Sequence, residues 1–204
     1  DPAAAGLAQL GRGTGYVQRQ IEGWTERYGK ARTWNVPTFK DVTSWLAANA
    51  PVDIATCVIH NDFRFDNLVL DHADPSRVVG VLDWEMATLG DPLMDLGGSL
   101  AYWIQADDDF LGKSLRRQPT HLPGMLTRRE VLAAYAKRSG RSVEDWPVYE
   151  VFGLFRLAVI AQQIYYRYYH GQTKNPEYKR FWLAAHYLHW RCRRAMRGAR
   201  STPR

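Results

Sequence analysis

The run His60-Asn61-Asp62-Phe63-Arg64-Phe65-Asp66-Asn67, followed sixteen residues later by Asp83-Trp84-Glu85, decides how this chain is read. Asp62 offers a carboxylate able to accept a proton from a hydroxyl. Asn67 and Asp83 offer hard oxygen donors of the kind Mg²⁺ prefers, alongside polyphosphate oxygens. One base and two metal-side oxygens are what transfer of a phosphoryl group to a hydroxyl requires.

The sequence around these residues explains how they meet. Thr56-Cys57-Val58-Ile59 is short and β-branched, and reads as a strand leading into His60. Leu68-Val69-Leu70 and Val78-Val79-Gly80-Val81-Leu82 read as two more strands, with the turn-forming run Asp71-His72-Ala73-Asp74-Pro75-Ser76 between them. Such a hairpin places Asn67 just before one strand and Asp83 just after the other, so residues distant in sequence become neighbours.

The rest of the chain is helical in pattern. Val17, Ile21, Trp24 and Tyr28 recur on one helix face. Thr38-Phe39-Lys40-Asp41 reads as a capping box opening a helix that buries Phe39, Val42, Trp45 and Leu46. Asp95 to about Ile104 reads as a helix that Asp91 or Asp95 caps. Residues 105–126 read as a mobile loop, and Thr127-Arg128-Arg129-Glu130 as a second capping box. A long, largely apolar helix is expected from about Pro147 to His170, stopped by Gly171. A last helix is striped by Tyr178, Phe181, Trp182, Ala185 and Leu188. The expected fold is therefore mainly α with a small β-hairpin insert (α+β). Strands and helices do not alternate as a Rossmann sheet requires.

The runs 58–71, VIHNDFRFDNLVLD, and 78–96, VVGVLDWEMATLGDPLMDL, resemble the aminoglycoside phosphotransferase family, a branch of the protein-kinase-like fold. Within it they look like the kinase domain found in some acyl-CoA dehydrogenases. The resemblance covers the whole chain as a C-terminal lobe and is most specific over residues 57–97. It implies Asp62 as catalytic base, Arg64 as a stabiliser of γ-phosphate charge, and Asn67 and Asp83 as Mg²⁺ ligands. It further implies that Asp95 braces the catalytic loop from below. His60 reads as holding that loop's backbone, in support of the cofactor site. ATP and Mg²⁺ are the implied co-substrate and cofactor. A small-molecule hydroxyl is the implied acceptor, with hydroxyacyl-CoA or an aminoglycoside-like compound as candidates.

A kinase-like enzyme also needs a glycine loop between strands and a lysine paired with a helix glutamate. Gly11-Arg12-Gly13-Thr14-Gly15 runs directly into a helical stripe and reads as a linker. Lys30 and Lys40 fall beside or within helices. Residues 1–204 are thus expected to be a single catalytic lobe whose N-terminal nucleotide-binding lobe is absent. Weak ATP binding and an apolar surface favouring a homodimer follow from that expectation.

Bulk properties narrow the classes. The net charge of +6 resides in Arg191, Arg193, Arg194, Arg197, Arg200 and Arg204; without them, 21 basic residues face 21 acidic ones. The body is neutral and residues 191–204 read as a basic tail, a weak sign of nucleic-acid or phosphate contact. The two cysteines, Cys57 and Cys192, form no metal-ligand spacing. No apolar run reaches the roughly 18 residues that span a bilayer, and a cytoplasmic setting is expected. The competing class is a non-catalytic binding or regulatory module derived from a kinase lobe.

Overall fold

The computed structural model describes residues 2–201. The chain divides into two compact units, one built from the residues up to Thr14 with Asp53–Val143, the other from Gly15–Val52 with the residues from Glu144 onward. The helical content and small β element agree with the α+β expectation.

The second unit is a four-helix body: α1 (Tyr16–Ala31), α2 (Lys40–Asn49), α6 (Trp146–Tyr169) and α7 (Phe181–Ser201). The stripe Val17, Ile21, Trp24 and Tyr28 is buried as its spacing predicts. α6 buries residues on most of its circumference, including Tyr149, Phe152 and Phe155, and packs against α1, α2 and α7. α7 turns Ala185, Leu188, Cys192 and Met196 inward. Residues 191–201 of the expected basic tail continue this helix. Arg193 pairs with Asp41 at 3.5 Å, and the Arg191 and Arg194 guanidinium groups lie over Tyr187 and Trp190. Arg204 and the Arg200 side chain lie outside the described residues.

One expected signal at α2 gives way to a stronger one. The helix opens at Phe39, which takes φ 54, with no side-chain cap. Thr38 Oγ1 only accepts from Lys40 N–H at 3.5 Å. Phe39 is fully buried, with ring centroids 4.9 Å from Tyr28, 5.5 Å from Phe155 and 4.7 Å from His189. Burying a phenylalanine is worth about 1.5–3 kcal/mol and each aromatic pair about 0.5–1.5 kcal/mol more. The left-handed backbone costs about 1–2 kcal/mol and the lost cap about 1 kcal/mol, so the ring decides the conformation. The second capping box forms as its sequence implies: Thr127 Oγ1 accepts from Glu130 N–H, and the Glu130 carboxylate accepts from Thr127 N–H at 2.8 Å.

The first unit holds two small antiparallel sheets. β2 (Leu68–Leu70) and β3 (Val78–Val81) form the expected hairpin, with Leu68 opposite Val81 and a register irregularity at Val69/Leu70. β1 (Cys57–Ile59) pairs with β4 (Thr88–Gly90), a three-residue strand the sequence reading did not identify. α3 (Pro92–Ala101) packs on β1, and α4 (Phe110–Ser114) and α5 (Arg128–Ser139) follow. The glycine stretch does not lie between strands. A side chain at Gly11 would meet Leu89 Cβ at 2.5 Å, and Gly15, at φ 77, opens α1.

Phe39→Ala is expected to destabilise the chain by about 3–5 kcal/mol in urea unfolding. Thr38→Ala is expected to change stability by less than about 0.5 kcal/mol. A loss near 1 kcal/mol on Thr38→Ala would restore the capping-box reading.

Candidate active site

The site begins where β1 ends. Both oxygens of the Asp95 carboxylate accept backbone amides there: His60 N–H donates to Oδ2 at 2.8 Å and Asn61 N–H to Oδ1 at 2.9 Å. Asp95 occupies the first turn of α3, and the helix cap itself is Asp91. Asp91 is fully buried; Leu93 N–H and Met94 N–H donate to its Oδ1, and Ile54 N–H donates to its Oδ2 at 2.8 Å. The two aspartates that the sequence left as alternatives thus divide the work. One closes the helix end, and the other holds the loop.

His60 is 3% exposed. Its Nδ1 accepts Asp62 N–H at 3.2 Å, which leaves Nε2 as the donor to the Leu82 carbonyl at 2.8 Å. The network therefore assigns the imidazole proton to Nε2. The Trp84 ring packs 4.7 Å from the imidazole. His60 thereby ties the loop to the far end of the hairpin. Leu82 N–H donates in turn to Asn67 O at 2.8 Å. With both backbone groups of Leu82 engaged, Asn67 and Asp83 are held at the same end of the β2–β3 ribbon.

Three non-glycine residues among those described take positive φ: Phe39, Asn61 and Asp83. Two of them are in this site, where left-handed backbone often marks functional geometry. Asn61 Nδ2 donates to Met86 O at 2.9 Å, joining the loop to the turn Trp84–Met86. Sequence reasoning had assigned Asn61 no part. Only the tolerance of asparagine for left-handed backbone hinted at one.

Asp62 is half-buried and oriented by two donors. Arg64 Nη2 donates to its Oδ2 at 3.1 Å, and Asn67 Nδ2 donates to the same oxygen at 3.3 Å and to the Asp62 carbonyl at 2.8 Å. Oδ1 has no hydrogen-bond partner among the described residues. Asn67 is 7% exposed, and with Nδ2 engaged its Oδ1 is left as an acceptor. Asp83 is exposed. Arg64 also lies 3.8 Å from Asp66 and over the Tyr102 ring at 5.1 Å. Asp66 and Glu85 are exposed.

The donor set suits a hard cation: one amide oxygen and one carboxylate, at the common end of a hairpin, with no soft ligand between them. Among the described residues no group of three or more His, Cys, Asp or Glu could hold a metal by itself. Both cysteines are free, and burial pushes the Cys57 and Cys192 thiols up from their ordinary range. Neither carries the mark of an activated nucleophile. No helix among the described residues is long and apolar enough to cross a membrane.

The chain is similar to known proteins over most of its length. The profile of the phosphotransferase enzyme family (APH) matches residues 1–152. Acyl-CoA dehydrogenase family member 10 of Mus musculus is 34% identical over 177 residues, 86% of this chain and 16% of that protein. Acyl-CoA dehydrogenase family member 11 of Rattus norvegicus is 33% identical over 181 residues, 87% of this chain and 23% of that protein. The chain therefore spans less than a quarter of these relatives' length. A crystal structure from Ralstonia eutropha JMP134, provisionally assigned as an aminoglycoside phosphotransferase, superposes with a TM-score of 0.79 at 32% identity. That match covers 95% of this chain and 60% of the other.

An asparagine at position 95 presents one oxygen and turns an NH₂ toward the second backbone N–H. Asp95→Asn is therefore expected to cost about 2–4 kcal/mol in chemical denaturation, nearly as much as Asp95→Ala. A loss under about 0.5 kcal/mol would show that the carboxylate does not hold the strand exit.

Proposed function

This chain belongs to the APH phosphotransferase enzyme family, and we propose that it carries the base-and-metal half of an ATP-dependent kinase acting on a small-molecule hydroxyl. The observation that carries the reading is the environment of Asp62. One carboxylate oxygen is fixed by Arg64 and Asn67, and the other is left for a substrate.

In this reading Asp62 Oδ1 accepts the hydroxyl proton as the substrate oxygen bonds to the γ-phosphorus and the bond to the ADP oxygen breaks. Arg64 and Asn67 orient the carboxylate so that the proton transfers to a defined oxygen. Arg64, which pairs with the base, offers positive charge to the equatorial oxygens. Asn67 Oδ1 and the Asp83 carboxylate would hold Mg²⁺, which when bound neutralises charge on the nucleotide phosphates. His60 and Asp95 position the loop and touch no reactant.

The acceptor is proposed from the relatives' names. Likeness to acyl-CoA dehydrogenase family members 10 and 11 favours an acyl-CoA bearing a hydroxyl. The solved neighbour favours an aminoglycoside-like polyol as the second candidate. We assign the grip on the adenine and the phosphate cover to a segment outside this chain, because the glycine stretch serves as the entry to α1. Val69, Leu70, Val78, Val79, Leu82, Trp84 and Met86 around the hairpin are exposed and offer apolar area to that segment or to a second copy. The regulatory-module reading rests on the same glycine stretch. The Arg face of α7 is the surface a phosphate-rich partner would use.

Millimolar ADP with Mg²⁺ is expected to raise the melting temperature of the chain by mass action. The shift should vanish with EDTA and in Asp83→Ala. Phosphoryl transfer by the chain alone is expected to be slow or absent. Equal shifts in wild type and Asp83→Ala would sink the metal assignment. Robust ATP turnover lost in Asp62→Ala would show that the chain needs no further segment.

A further inference from the structure

Residues 105–126 read in sequence as a mobile loop, yet they are tied down at both ends and reach into the motif. Arg128 makes a bidentate pair with Asp108, Nη1 to Oδ2 at 2.6 Å and Nη2 to Oδ1 at 2.7 Å, and also donates to the Trp103 carbonyl. Gln105 N–H donates to Asp108 Oδ2, and Gln105 Oε1 accepts Arg128 N–H. Thr120 is 2% exposed, and its hydroxyl donates to the Ile104 carbonyl at 2.7 Å. The segment thus closes on itself as a loop with a polar clasp. Partly buried bidentate arginine pairs give such a clasp geometric definition.

Inside this loop sits Gln118, a polar side chain only 6% exposed. Its Oε1 accepts Phe65 N–H at 3.0 Å. Phe65 is the first residue of the 3₁₀ turn Phe65–Asn67, and its ring packs 5.6 Å from Trp103. Trp103 is itself held by its indole N–H on the Leu126 carbonyl at 2.9 Å. The turn is therefore gripped through its backbone by the loop and through its ring by Trp103, whose indole the loop's last residue holds. Asn67 lies two residues beyond the gripped amide.

We propose that Gln118 is a positioning residue, which sets the orientation of the Asn67 carboxamide by anchoring the amide that begins its turn. The inference rests on the reading of Asn67 as a metal-side ligand, and it adds a residue that does not touch the metal. A three-residue turn has little internal hydrogen bonding; Asn67 N–H returns to the Arg64 carbonyl at 3.0 Å, and Leu68 N–H to Phe65 O. The backbone of the turn is therefore aimed from outside, as outer partners set the aim of metal ligands, and the Asp62 carbonyl then receives the Asn67 carboxamide. A buried glutamine is suited to this task because its side-chain oxygen supplies the acceptor that the Phe65 amide needs.

The test uses the ¹⁵N-labelled full chain. It reads Phe65 amide exchange, the Asn67 Nδ2H₂ resonances, and the midpoint at which Mn²⁺ broadens them. In Gln118→Leu, Phe65 exchange should quicken about tenfold and the Asn67 side-chain resonances should move. The Mn²⁺ midpoint should rise roughly tenfold, the low end of what outer partners contribute. Gln118→Glu keeps an acceptor and should return all three toward wild type. Thr120→Val loosens the same loop from a second point and should move the Asn67 resonances in the same direction, so the idea survives a misfolded Gln118→Leu. Faster Phe65 exchange with unmoved Asn67 resonances would overturn the proposal and leave Gln118 a local structural residue. Asp83→Ala separates the two readings. If it leaves the Mn²⁺ midpoint unchanged, the metal assignment fails, and the Asn67 resonances alone still decide whether Gln118 positions that side chain.

Discussion

The site depends on one carboxylate receiving two consecutive backbone amides. Asp95 accepts His60 N–H and Asn61 N–H at the point where β1 has run out of strand partners. Amides at a strand exit must find acceptors, and if buried they are expensive to leave unmet. An ionised acceptor in the first turn of α3 meets both and also complements the positive end of the helix dipole. With those amides fixed, the left-handed Asn61 redirects the chain, and Asp62 N–H comes back to His60 Nδ1.

His60 transmits that placement across the site. A histidine flanked by one backbone donor and one backbone acceptor has its tautomer assigned by them. Here the ring spans from Asp62 N–H to the Leu82 carbonyl. Leu82 also donates to Asn67 O, so one residue joins the loop histidine and both arms of the hairpin. Backbone hydrogen bonds thus place the Asp62, Asn67 and Asp83 positions, and the Arg64 and Asn67 side chains then orient the Asp62 carboxylate. Preorganisation of this kind leaves side-chain oxygens free for reactants.

Much of this was legible in the residues. The β-branched runs on either side of the Asp71–Ser76 turn gave the hairpin, and the hairpin explained why Asn67 and Asp83 belong together. Thr127 and Glu130 form their capping box because nothing larger competes for the backbone there. Phe39 overruled the equivalent signal at Thr38 because a buried ring outweighs a cap. β4 escaped notice because three residues, two of them Thr88 and Gly90, carry too little pattern to declare a strand. Gln118 had no local signal at all, and Asn61 had only the tolerance of asparagine for left-handed backbone. Their partners, Phe65 and Met86, lie 53 and 25 residues away along the chain.

The sequence by itself determined the chemistry: a carboxylate, an amide and a second carboxylate at spacings that a hairpin brings to one end. Residue type and strand periodicity are local properties, and those suffice to bring three oxygen-bearing side chains to notice as neighbours. The tertiary structure alone decided which aspartate caps α3 and which holds the loop, which nitrogen of His60 carries the proton, and which oxygen of Asp62 is engaged by Arg64 and Asn67. Each of these is settled by hydrogen bonds between distant segments, whose geometry exists only once the chain has closed around them.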